Sequence, residues 1–318
     1  MLLIQKTEIS MSKRIIISGA TGLIGSRLAS ELASSGFEIT IFTRNINKSR
    51  MMVPTAKNYV EWDYRRPEKW EDHLEGANAV IHLAGASIAG KRFTDSYKKK
   101  VRGSRIISTR NIVKAIAEIK DKPKAFICAS GINYYGDSGD RKLTESSGAG
   151  NDFLADVCKE WEDEAAEAEK FGVRRVCVRT SPVMSTVGGM VKTLLPLFRF
   201  YLGASLGSGS QWFSWIHIDD IIKLYKFAVE NESVSGAVNA SSPNPVRMDE
   251  FADYLGETLH KPVFLKVPKF AMKAAIGEAA DFITASLRVL PERVQNTGFS
   301  FDFPYLPDAL KDIIRNKK

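Results

Sequence analysis

Three glycines, Gly19, Gly22 and Gly25, recur at intervals of three in RIIISGATGLIGSRLASEL, where an apolar run gives way to an amphipathic one. A chain with this spacing turns sharply, comes close to a pyrophosphate and packs helix on strand. Ala20, Thr21, Leu23 and Ile24 belong to the same cradle, whose helix N-terminal amides favour negative charge. The competing reading is a tight structural turn, but the strand before and the helix after point to a dinucleotide. The next strand closes as ITIFTRN, on Thr43 and Arg44, with no carboxylate to accept from ribose hydroxyls. The forked Arg44 guanidinium suits a 2′-phosphate and its plane suits adenine, so the expected cofactor is NADP(H). Asp63 partners the adenine amine or caps a turn. In VIHLAGAS, the small residues around Leu83, Ala84, Gly85 and Ala86 admit the cofactor backbone.

These groups need a sheet whose strand ends converge. Strand-length apolar runs lie at Arg14–Ser18, Glu38–Thr43, Tyr59–Trp62, Ala79–Leu83, Ala125–Ala129 and Arg174–Arg179. Helical patterns over Leu23–Ser35, Lys98–Ile119 and Asn151–Phe171 separate them. Such alternation predicts an α/β fold with a doubly wound parallel sheet. The acidic surface of the Asn151–Glu169 stretch reads as a solvated face. After Thr180 the rhythm breaks into a Gly-rich, aromatic segment, 188–215, followed by a helix over Asp219–Glu230 and a strand near Ala237–Asn239. The expected division is a nucleotide-binding core over 11–242, with 188–215 on the substrate side, and a smaller, mainly helical lobe over 243–318.

With 318 residues, 44% hydrophobic and 26% charged, the chain is neither disordered nor fibrous and can bury a core without staples. Three cysteines without a CxxC fit a reducing compartment, and a cytoplasmic location is expected. No apolar run is long enough to span a bilayer, so no membrane partner is expected, and residues 1–10 read as an extension or a misassigned start. The charge of +8 permits anionic partners; without a basic-aromatic platform, nucleic acid is not expected. No cluster has metal-ligand spacing, so no metal is expected.

GATGLIG, HLAGAS, YYG and WIHIDD together resemble the extended short-chain dehydrogenase/reductases. GKRFTDSYKKKVRGSRIISTRNIV, GGMVKTLLPLFRFYLGASLGSGSQWFSWIHIDD and LRVLPERVQNTGFSFDFP are similar to the atypical, epimerase-family (sugar-nucleotide-epimerase-like) subgroup with its own C-terminal domain. The resemblance implies a Rossmann core with NADP and a small helical substrate lobe, and it implies no particular reaction. Family chemistry uses a Tyr-x-x-x-Lys pair on the helix after the fifth strand. Here no tyrosine occurs between Tyr135 and Tyr201, and alignment on Trp161-Glu162 puts Leu154 and Cys158 at those positions. Losing a positioned acid or base costs about 10²–10⁴ in rate, so the ordinary hydride mechanism is not expected.

The remaining catalytic candidates are Ser130, near the family's serine (Gly131 fits that register as well), Tyr135 with Tyr134, and Cys158. Each has a plainer reading: the tyrosines pack at the strand end, and a helical cysteine is inert core. Lys159, Glu145 and Asp152 are too generic to choose among. Arg105 stands where extended members carry an asparagine, and either belongs to a solvated basic face or reaches the cofactor or an anionic substrate. Lys98–Lys100 read as solvated, and His217 as structural, with Asp219 and Asp220 capping the helix that follows. Phe213 replaces an arginine that grips a substrate diphosphate in sugar-nucleotide enzymes, so Trp212, Phe213 and Trp215 suggest an apolar pocket wall. Two function classes follow: an oxidoreductase or epimerase with non-standard acid/base groups acting on a small molecule, and a non-catalytic NADP-binding module read by a protein partner. The sequence assigns no oligomeric state.

Overall fold

A computed structural model describes residues 13–65, 70–88 and 92–318. The reading of residues 1–10, the first residues of the expected core and Lys91 lie outside them. Seven strands form one parallel sheet: β1 (Arg14–Ser18), β2 (Glu38–Thr43), β3 (Asn58–Glu61), β4 (Ala79–His82), β5 (Ala125–Gly131), β6 (Arg174–Thr180) and β7 (Gly236–Ala240). Their order is β7-β6-β5-β4-β1-β2-β3. Succession reverses beside β1, which lies between β2 and β4, and that reversal opens a crevice at the carboxyl ends of the strands. The strands are nearly continuous apolar runs because both faces are covered. Ile15 and Ile17 enter one core and Ile16 the other, as the two-residue period demands.

Helices α1 (Leu23–Ser34) and α6 (Ile218–Glu230) cover the first face, and α3 (Asp95–Glu118) and α4 (Phe153–Ala166) the second. Their ends correct the sequence reading by a few residues, and the caps give the reason. Thr94 accepts from the Tyr97 amide and starts α3 three residues before Lys98. Asp152 accepts from the Leu154 and Ala155 amides, so α4 starts at Phe153; a 3₁₀ turn over Glu167–Phe171 follows its end. Two helices were not expected. Short α2 (Ile46–Met52) is capped by Asn45, and α5 (Gly189–Arg199) carries Pro196 inside it, which reads as a helix breaker from sequence.

Beyond β7 come α7 (Met248–Leu259), α8 (Lys269–Ile276), α9 (Ala279–Ile283), α10 (Glu292–Asn296) and α11 (Leu306–Asn316). Phe251, Leu255, Val294, Leu310 and Ile313 from this region join the same contiguous core as Ile15. Among the described residues, no helix is long and apolar enough to cross a membrane.

Candidate functional site

At the β1–α1 junction Gly19 adopts φ +76°, and a Cβ there would lie 2.7 Å from the Leu83 carbonyl carbon and 2.8 Å from the Ala84 nitrogen. At Gly25 a Cβ would lie 2.5 Å from the Gly19 oxygen. Only glycine lets β1, α1 and the loop after β4 come this close. Helix α1 opens with no side-chain cap and no acid in its first turn, so its leading amides face the crevice unopposed. A cavity of about 290 Å³ lies there. Gly19, Gly22, Leu23, Ile24 and Gly25 line it from one side, Leu83, Gly85 and Ala86 from the loop after β4, and Arg105, Ser130 and Cys158 from beyond.

Other expected cofactor residues do not line this cavity. Ala20 is buried in the core, and Thr21 and Ala84 flank the cavity. The Thr43 hydroxyl accepts from the Asn45 amide at 3.1 Å and from Ser49 Oγ at 2.7 Å, which fixes the start of α2. Arg44 is exposed just past β2 and has no ion-pair partner among the described residues. Asp63 Oδ1 accepts from the Arg65 amide at 3.0 Å, the turn-capping alternative.

Ser130 and Tyr135 are held in a buried polar chain that the sequence did not reveal. Arg179 on β6 grips Glu162 on α4, with Nε 2.8 Å from Oε1 and Nη2 2.7 Å from Oε2. Ser130 Oγ donates to Glu162 Oε1 at 2.7 Å. Arg179 Nη1 donates to Tyr135 Oη at 2.9 Å, and Tyr135 donates to Asn239 Oδ1 at 2.7 Å. Tyr135 is 2% exposed, its phenol is pushed up to about 12 by burial, and it does not line the cavity. The plainer reading of Tyr135, packing at the strand end, is the one the geometry fits: its hydroxyl is spent inside the protein. The acidic stretch is solvated at Asp156, Asp163, Glu167 and Glu169, whereas Glu162 faces inward at 8% exposure. Its place beside Trp161, on the apolar side of the helix, was the available signal.

Cys158 does line the cavity, but burial, then the Glu162 charge, pushes its thiol up to about 11. Cys128 and Cys177 are fully buried opposite each other on β5 and β6, and burial raises both. At pH 8 the folded protein is therefore expected to react negligibly with a thiol-specific disulfide reagent, and unfolding in guanidinium should release three equivalents. One fast equivalent in the native state would restore Cys158 as a reactive group.

Directly beneath the cradle, His82 is fully buried between Ser18 Oγ, 2.6 Å from Nδ1, and Ser108 Oγ, 2.9 Å from Nε2. Burial, then the Arg105 charge, lowers its pKa from 6.5 to about 3. Between those values the unfolded chain binds a proton that the folded chain refuses. Stability is thus full above pH 6.5 and falls on acidification, by up to about 1.4 kcal/mol per pH unit. His217, lowered to about 4, acts in the same sense; Asp220, raised to about 6 by burial, partly opposes both. The urea midpoint should drop between pH 7 and pH 4.5, and drop less in His82→Gln. An equal drop in the variant would remove His82 from the account.

Arg105 is 8% exposed, and burial lowers its pKa. Its Nη1 donates to the Ala86 carbonyl at 3.0 Å and to the Val101 carbonyl at 3.1 Å, and its Cζ lies 5.1 Å from the Trp161 ring centre. A Cβ on Gly85 would come within 3.2 Å of that carbon, so the glycine makes room for the guanidinium.

Other expectations resolve into structural roles. His217 caps α6 by accepting from the Asp219 amide at 3.2 Å, whereas Asp220 is buried and accepts from the Asp302 and Phe303 amides. His217, Asp219 and Asp312 converge, but the Lys318 ammonium lies 2.7 Å from Asp219 and 3.1 Å from Asp312, so a cation already serves the cluster. Trp215 and Phe213 are core residues, and Trp212 is stacked between Arg247 and Arg288 at 4.1 Å each; none lines the cavity. Lys98 leaves the solvated face to pair with Glu278 and the Phe153 ring.

A crevice at the strand reversal, with a glycine cradle and an uncapped helix, defines a nucleotide-binding α/β protein. Residues 15–240 match the NAD dependent epimerase/dehydratase family, and residues 267–313 match a domain of unknown function, DUF1731. The chain belongs to that epimerase family. It is 38% identical over 303 residues to the chloroplastic epimerase family protein SDR39U1 homolog of Arabidopsis thaliana, covering 95% of this chain and 86% of that one. Identity to the Bacillus subtilis epimerase family protein YfhF is 34% over 307 residues, covering 96% and 99%. The structure of human epimerase family protein SDR39U1 (isoform 2) with NADPH superposes with a TM-score of 0.84 at 30% identity, covering 95% of this chain and 99% of that one.

Proposed function

We propose that the chain binds NADP(H) in the crevice, with the pyrophosphate on the α1 amides and the 2′-phosphate on Arg44. The observation that carries the choice of NADP is the end of β2. Just past it stands Arg44, exposed and with no ion-pair partner among the described residues, where an NAD site needs a carboxylate. The NADPH in the human relative's structure supports the same reading. Titration of the purified protein with NADPH and NADH, followed by nicotinamide fluorescence, tests it. Tighter binding of NADPH is expected, and equal or weaker binding than NADH would reverse the assignment.

Ser130 and Tyr135 are engaged with Glu162, Arg179 and Asn239, and burial keeps the Cys158 thiol protonated. This favours a second reading, in which the protein binds the nucleotide without turning it over and a protein partner reads the bound state. The three unpaired thiols fit the cytoplasm in either case. Mass spectrometry of the denatured, freshly purified protein separates the readings. A small molecule released along with the nucleotide supports the oxidoreductase or epimerase; nucleotide alone supports the binding module.

A further inference from the structure

We propose that Arg105 is the oxyanion anchor of the cavity, holding a phosphate or carboxylate oxygen with the unpartnered edge of its guanidinium. This rests on the cavity being the nucleotide site and goes on to the chemistry of its inner wall. Arg105 is 92% buried by its 8% exposure, yet no carboxylate among the described residues pairs with it. Nη1 makes both of its hydrogen bonds, to backbone carbonyls; Nε and Nη2 have no protein acceptor among the described residues. Arg105 is itself part of the cavity lining, so an anion in the cavity lies beside that fork. A buried cation without an anion is costly to keep, and Arg179, the other buried arginine among the described residues, has its carboxylate. The neighbours hold the guanidinium still: the Trp161 ring centre lies 5.1 Å from Cζ, the Ala86 and Val101 carbonyls fix Nη1, and Gly85 leaves it room. A fixed fork facing a cavity suits a planar or tetrahedral oxyanion.

The anion has two possible sources with the same chemistry: a pyrophosphate oxygen of the nucleotide, or the carboxylate or phosphate of a second small molecule bound beside it. Tryptophan fluorescence can report either, because Trp161 lies in the same wall. Wild-type protein and Arg105→Met are titrated with NADPH; each is then saturated with NADPH and titrated with inorganic phosphate and with malonate. A charge-assisted hydrogen bond is lost in the variant, so at least a tenfold rise in Kd is expected. If that rise is in the NADPH titration, the oxyanion is the nucleotide's. If NADPH binds both proteins alike, while phosphate or malonate binds only the loaded wild type, the oxyanion belongs to a second molecule.

The ligand-free melting temperature completes the test, since removal of an unpaired buried charge should not lower it. A lowered melting temperature with all affinities intact makes Arg105 a packing residue and overturns the proposal. So does an Arg105→Met protein that binds every probe like wild type. Should Arg105→Met fail to fold, Arg105→Lys keeps the charge without the fork: a threefold or larger loss supports the proposal, and unchanged affinities overturn it. Failure of wild-type protein to bind NADPH refutes the cofactor assignment instead, a result separate from all of these.

Discussion

Arg44→Asp is expected to raise the Kd for NADPH about a hundredfold and to leave NADH binding unchanged or tighter. The wild-type guanidinium is exposed and has no ion-pair partner among the described residues, so the nucleotide meets it without breaking a salt bridge to any of them. Charge-assisted hydrogen bonds to a phosphate contribute roughly 1.5–3 kcal/mol, or about 10- to 150-fold in affinity. The introduced carboxylate repels the 2′-phosphate of NADPH but can accept from the ribose hydroxyls of NADH. Fluorescence titrations with both nucleotides measure the ratio directly. A variant that still prefers NADPH by the wild-type margin would move the 2′-phosphate away from Arg44.

Arg179→Met should destabilise the fold by about 3–5 kcal/mol, because it strands the Glu162 carboxylate at 8% exposure with Ser130 as its remaining side-chain hydrogen-bond donor among the described residues. It also removes the Arg179 donor to Tyr135. The double variant Glu162→Gln/Arg179→Met should recover most of the loss, since a neutral amide tolerates burial far better than an unpaired carboxylate. Urea unfolding at pH 7 of wild type, single and double variants closes the cycle. A single variant within about 1 kcal/mol of wild type would mean that water reaches Glu162.

The parts of this molecule that could be read from sequence are those whose cause is local. The β1–α1 junction is one: a strand, three glycines and an amphipathic helix are consecutive, and the close approach at Gly19 and Gly25 follows from that order. The parallel sheet was equally legible, from the alternation of apolar runs. Where partners are distant, local pattern is silent. Glu162 and Arg179 meet only because α4 packs beside β6, and Tyr135 reaches Asn239 across 104 residues. Read singly, Glu162 is one acid on an acidic helix, and Tyr135 is a phenol near a strand end. Trp212 shows the opposite error. Aromatic residues after a glycine-rich stretch suggest a pocket wall, yet two arginines stack on this ring away from the cavity. Helix α5 lies in the segment read only as Gly-rich and aromatic, and the packing of Val191, Leu195 and Phe198 overrides the local preference of its Pro196.

The core shared by Ile15 of β1 and Ile313 of α11 sets a schedule for synthesis. Ile15 emerges from the ribosome roughly 300 residues before Ile313; at about 5–20 residues per second the wait is about 15–60 s. α6 follows Ile15 by roughly 200 residues, so for about two-thirds of that interval the first face of the sheet lacks α6, and α11 joins the shared core only at its end. Uncovered strand faces invite association with other chains, so nascent protein should depend on chaperones until residues 306–313 arrive.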